Sequence, residues 1–143
     1  MEYNEISERF SKIAEKVIKE NPELHYLDVV NIMYVASDKE RKSNGKIVFG
    51  SCEKVPDKYR FLIDADFIIR IYIHNTAYFT DKQYEILLHH ELLHCKIEAD
   101  KEGELKTSCN PHDVEDFKSI IDRYGIDWAN PELTLFTYAA VGE

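Results

Sequence analysis

Apolar residues near the start of the chain recur at helical spacing. Tyr3, Ile6, Phe10, Ile13 and Val17 fall on one stripe, with Glu8, Arg9, Lys12, Glu15, Lys16 and Lys19 between them. This predicts an amphipathic helix over residues 3–20. Asn21-Pro22 ends it, because the residue before proline is pushed out of the helical region. From Val29 to Ala36 the period changes to two, with Val30, Ile32, Tyr34 and Ala36 on one face, which predicts a strand. A charged connection follows, and Asn44-Gly45 is a tight-turn signal. Lys46 to Cys52 then predicts a second strand, forming a hairpin with the first. Gly50 inside it marks a bulge or a close backbone approach. Beyond the turn at Val55-Pro56, Phe67, Ile69, Ile71 and Ile73 alternate with Ile68, Arg70, Tyr72 and His74. One face of that strand is fully apolar, as in a sheet covered on one side by helices.

Thr80-Asp81-Lys82-Gln83 is a capping box. It opens a helix expected to run to about Ala99. Tyr84, Ile86, Leu87, Leu88, Leu92, Leu93, Cys95 and Ile97 go nearly all round this helix, so it is a buried one. Asp100 to Asn110, with Gly103 in its middle, reads as a loop. Asn110-Pro111 starts another helix, carrying Val114, Phe117, Ile120 and Ile121 and stopping at Gly125. The tail, with Trp128 and Leu133 to Tyr138, packs on the domain as a strand. The order of elements predicts an α+β fold: a small, mostly antiparallel sheet with an N-terminal helix, a buried helix and a following helix. At 143 residues, the chain makes one domain, residues 1–143.

The buried helix carries His90-Glu91-Leu92-Leu93-His94, an H-E-x-x-H pattern. On a helix, residues i and i+4 share a face. Two imidazoles there can hold one Zn2+ ion. The intervening glutamate then stands close enough to act as general base on a metal-bound water. The bland alternative is a pair of core histidines satisfied by hydrogen bonds. Burying them with a glutamate is costly without partners, and a metal is such a partner. The layout suits a compact zincin-like domain. A catalytic zinc takes three protein ligands plus water. Glu98 is a poor third, because one straight helix cannot wrap three ligands round one ion. Gly103 does not stand where a metzincin pattern needs it. His112 is preferred, since the preceding loop lets the chain fold back over the helix. Asp113, Asp116 and the Cys109 thiolate stay open as alternatives.

Charge changes the picture by exclusion. With 18 basic and 27 acidic residues, the net charge is −9, which weighs against nucleic acid and anionic lipid as partners. Lys39, Arg41, Lys42 and Lys46 read as a solvated turn. No run of apolar residues is long enough to span a membrane. The acidic start, Met1 to Glu5, lacks an apolar signal core. Cys52, Cys95 and Cys109 are an odd, sparse set that fits a reducing cytoplasm better than a disulfide framework. Cys95 and Cys109 read simply as a core thiol and a loop thiol.

Four segments occur in a distinctive order over roughly residues 46–124: Lys54-Val55-Pro56 with Lys58-Tyr59-Arg60, Asp66-Phe67-Ile68-Ile69, Leu87 to His94, and His112-Asp113-Val114-Glu115-Asp116-Phe117. In these the chain resembles the phage metallopeptidase family. The resemblance implies a zinc-dependent metallopeptidase-like hydrolase of phage or prophage origin, working in the cytoplasm of a bacterial host cell. It implies His90, His94 and His112 as zinc ligands and Glu91 as the base that activates a zinc-bound water. A peptide or protein would be the substrate, lying by strand addition along residues 66–74. Candidates for stabilising the oxyanion are His89, Arg70, Tyr78, Tyr124 and Tyr138, with nothing to rank them. The competing reading is a non-catalytic, zinc-stabilised interaction protein from a mobile element, whose site a fourth protein ligand would close. The oligomeric state stays open.

Overall fold

The computed structural model describes residues 3–43 and 45–109. In chain order it holds α1 (Tyr3–Glu20), a 3-10 segment (Pro22–Val29), β1 (Ile32–Ser37), β2 (Lys42–Ser43), β3 (Lys46–Ile47), β4 (Gly50–Lys54), β5 (Phe67–Tyr72), α2 (Asp81–Leu93), β6 (Cys95–Ala99) and β7 (Leu105–Cys109). The fold is α+β, and three of the four strand pairings among the described residues are antiparallel.

α1 forms where the amphipathic stripe predicts it. Phe10, Ala14 and Val17 are buried, and they share one core with Leu87, Leu88 and Leu92 of α2 and with Phe67, Ile69 and Ile71 of β5. Arg9 pairs with Asp81, and Lys16 reaches Glu85 at 3.3 Å, so the polar flanks also tie α1 to α2. Asn21 ends the helix in two ways. It precedes proline, and its buried side-chain amide donates to the Val17 carbonyl at 2.7 Å, satisfying an orphan acceptor of the last turn.

The main sheet has the order β1-β5-β4. The expected hairpin between the first two strands does not form. β1 instead runs parallel to β5, with Ile32 opposite Phe67, and β4 lies antiparallel on the other side of β5, with Gly50 opposite Ile71. The Asn44-Gly45 signal is used by the two-residue strands β2 and β3, with Gly45 at φ 78°. The parallel register is set at its start. The Asn31 carbonyl accepts from the Asp66 N–H at 2.7 Å, and the Asn31 N–H donates to the Asp66 carboxylate at 2.9 Å. Arg60 holds that carboxylate at 2.8 Å. β5, the most apolar strand, thereby takes the centre, where both of its edges are paired.

A second departure lies after the motif. α2 stops at Leu93 rather than near Ala99, and residues 95–99 and 105–109, expected as helix and loop, form an antiparallel hairpin. Gly103, at φ 83°, belongs to its turn, and the Asp100 carboxylate accepts from the N–H groups of Glu102 and Glu104 at 2.9 Å. Tyr26 donates its hydroxyl to the Cys95 carbonyl, holding that carbonyl outside any helical bond. Cys95 and Ile97 read equally well as helix or as alternating strand, and hairpin pairing decides between them. The predicted helix after Asn110 and the tail strand lie outside the described residues.

Candidate metal centre

The motif helix is anchored at its start. The Thr80 side-chain oxygen accepts from the Gln83 N–H at 3.2 Å, and the Gln83 side chain accepts from the Thr80 N–H at 2.9 Å. The Tyr84 hydroxyl donates to the Thr76 carbonyl at 2.9 Å, fixing the first turn to the turn that follows β5. Leu88 and Leu92 are fully buried, so the helix cannot roll without opening the core.

The arrangement brings His90, Glu91 and His94 together. One ligating atom from each lies within 4.8 Å of the others. The two imidazole rings stand 5.5 Å apart at 62°, and His94 Nε2 is 4.0 Å from Glu91 Oε1. His90 and Glu91 are both 5% exposed, while His94, at the helix C-cap, is half-buried. Sheet strand β4 closes over this group. A Cβ at Gly50 would lie 3.4 Å from Glu91 Oε2 and 3.0 Å from the Arg70 carbonyl oxygen, so the strand approaches this closely because residue 50 has no side chain. Two imidazoles and a carboxylate, largely withdrawn from water, are a donor set that fits zinc.

Several candidates stand elsewhere. His89 is 1% exposed and turns to Glu23 on the 3-10 segment, with Nε2 3.0 Å from the carboxylate. Arg70 pairs with Glu53 across β5 and β4. Tyr78 is exposed, and its partial burial raises its hydroxyl above the ordinary tyrosine value. Glu98 is exposed on β6, away from any helical face. His112, Asp113, Asp116, Tyr124 and Tyr138 lie outside the described residues.

Cys109 does not join the histidines. Its sulfur is 3.4 Å from Cys52 Sγ, and Cys52 Sγ is 3.3 Å from Cys95 Sγ. The hydrogen bond from Cys109 favours a Cys52 thiolate, but contact with Cys95 and burial outweigh it and hold that thiol above its ordinary range. The bond to Cys52, with burial, raises Cys109 as well. Sequence reasoning missed this thiol cluster. Its members come from β4, β6 and β7, and no local spacing signals that these positions meet.

Fold and site together define an α+β protein with an H-E-x-x-H group able to hold a metal. Over residues 2–134 the chain matches the family described as "Putative phage metallopeptidase", and it belongs to that family. No curated protein and no solved structure matches the chain.

Proposed function

We propose that the chain is a single zinc-dependent metallopeptidase domain, residues 1–143, of phage or prophage origin, acting on peptides or proteins. The observation that carries this reading is the convergence of His90, Glu91 and His94 on a buried helix beneath a sheet strand. His90 and His94 would hold the ion, with His112 as the third ligand, from a segment inside the family match. Zinc bound there would supply Lewis-acid polarisation of the scissile carbonyl and a lowered pKa for a coordinated water. Glu91 accepts the proton of the attacking water and returns it to the leaving amine. Burial of Glu91 keeps bulk water from competing for that proton.

Substrate placement must differ from the sequence expectation. β5 has both edges paired, so no peptide can add along residues 66–74. Among the described residues β4 pairs with β5 alone, and Gly50 at its start lies close to Glu91. A substrate strand added there would meet the site with backbone hydrogen bonds and little side-chain selectivity. Action in the host cytoplasm is part of this proposal; no helix among the described residues is long and apolar enough to cross a membrane. Cys109 is turned to Cys52, and Asp113, the other residue that would close the site as a fourth ligand, lies outside the described residues.

The test is Glu91→Gln, assayed on a denatured protein substrate with zinc content measured in parallel. Retained zinc with hydrolysis lowered by about 10²–10⁴-fold is expected. Unchanged turnover would remove Glu91 from its role as base.

A further inference from the structure

The chain has three cysteines, and all three converge. They arrive from separate strands: Cys52 from β4, Cys95 at the first position of β6, and Cys109 at the last position of β7. Cys52 is the middle sulfur, 3.3 Å from Cys95 Sγ and 3.4 Å from Cys109 Sγ. Cys95 and Cys109 sit directly opposite each other in the hairpin. Cys95 is fully buried, whereas Cys52 and Cys109 are each partly open to solvent. Buried thiols often pack as small apolar groups. Packing alone gives no reason for every thiol of a chain to meet at one point, and two of these remain within reach of solvent.

We propose that Cys52 and Cys109 form an oxidant-reachable dithiol that closes to a disulfide, with Cys95 as a buried third thiol able to take over Cys52 by exchange. A hydroperoxide is the oxidant. Cys109, held mostly as the thiol, reacts through its minor thiolate fraction: that thiolate attacks the outer oxygen, the O–O bond breaks, and Cys109 sulfenic acid and water or an alcohol form. The Cys52 thiolate then attacks the sulfenic sulfur, the S–S bond forms, and hydroxide leaves and is protonated to water. Two electrons pass from the sulfurs to the peroxide. Closing the gap needs a shift of about 1.3 Å toward the ordinary S–S bond, within the reach of side-chain rotation. In the exchange step Cys95 Sγ, 3.3 Å from Cys52 Sγ, displaces Cys109 from it, and the proton of Cys95 passes to the departing Cys109 sulfur, with no net oxidation. Either bridge pins β4 to the β6–β7 hairpin, whose first residue follows His94 directly.

The test treats the native, reduced full chain with hydrogen peroxide, then counts free thiols in denaturant and maps cross-links by peptide mass spectrometry. Reduced protein should show three thiols and treated protein one. The cross-link should join Cys52 to Cys109, or to Cys95 after exchange. Cys95→Ser should still close between Cys52 and Cys109. Cys52→Ser, and Cys52→Ala as a second variant, should keep both remaining thiols free. Circular dichroism confirms that each variant is folded. Three free thiols in treated wild type, cross-links only between chains, sulfinic acid without a bridge, or a Cys95–Cys109 bridge formed as readily without Cys52 would each overturn the proposal.

Discussion

Two clusters meet at one peptide bond. His94 completes the imidazole–carboxylate group, and Cys95 begins the thiol group. The first is assembled by a single helix, its members one to four residues apart in sequence. The second is assembled by the β6–β7 pairing of Cys95 with Cys109 and by packing of β4 against that hairpin, which brings in Cys52 from 43 and 57 residues away. A helix places side chains by local geometry, so its chemistry can be read as a spacing. A sheet places them by register with distant segments, so its chemistry is set by the whole fold.

The largest expected effect separates the clusters. His94→Ala should weaken zinc binding by more than the roughly 10–100-fold that losing an outer-shell partner costs. Peroxide-driven closure of the cysteines should be unchanged. Isothermal titration with zinc, run beside thiol counting, reads both. If closure is lost too, the clusters are one unit. Leu88→Ala strikes the support they share, since Leu88 is fully buried in the core behind the motif. It should cost about 2–5 kcal/mol in urea unfolding.

Gly50→Ala is a smaller and more local intrusion. Its methyl would meet the Arg70 carbonyl at 3.0 Å and Glu91 Oε2 at 3.4 Å. Overpacking of about 1–3 kcal/mol is expected. Hydrolysis should fall more than zinc binding, because the base is displaced and the histidines are not. Equal losses in both would show that β4 supports the helix as a whole.

Alkaline pH gives the smallest effect and bears on the thiol cluster, together with Tyr34 and Tyr78, whose hydroxyls burial also raises. Cys52 and Cys109 are raised above the ordinary thiol value of 9.0, so the folded chain holds protons that the unfolded chain releases. Their contribution to stability is full below that value and falls as pH climbs beyond it. Urea midpoints at pH 8 and pH 10 should show the decline in reduced protein and a weaker one after oxidation. Equal slopes would remove the thiols as its source.

The same contrast explains what was legible in the sequence. α1, the capping box at Thr80 and Gln83, the apolar alternation of β5 and the close approach at Gly50 all follow from short-range pattern, and all stand where the pattern predicts. The pairing of β1 departs from the expectation because the turn signal at Gly45 serves a hairpin only two residues deep on each side. The end of α2 was misread because Cys95 and Ile97 satisfy both periods, and the deciding partners, Leu105 to Cys109, carry too little apolar alternation to declare a strand. In both places strand pairing, distant for β1 with β5 and adjacent for β6 with β7, won over a local preference.

If His90 and His94 hold a metal beside Glu91, zinc stays with the purified chain and depends on those imidazoles. Elemental analysis of purified chain, after zinc loading and exhaustive dialysis, tests it most directly, with His90→Ala and His112→Ala measured alongside. One zinc per chain in wild type, lost in His90→Ala and weakened in His112→Ala, is the predicted result. No retained metal in the folded wild type, or one zinc per chain kept in His90→Ala, would contradict it.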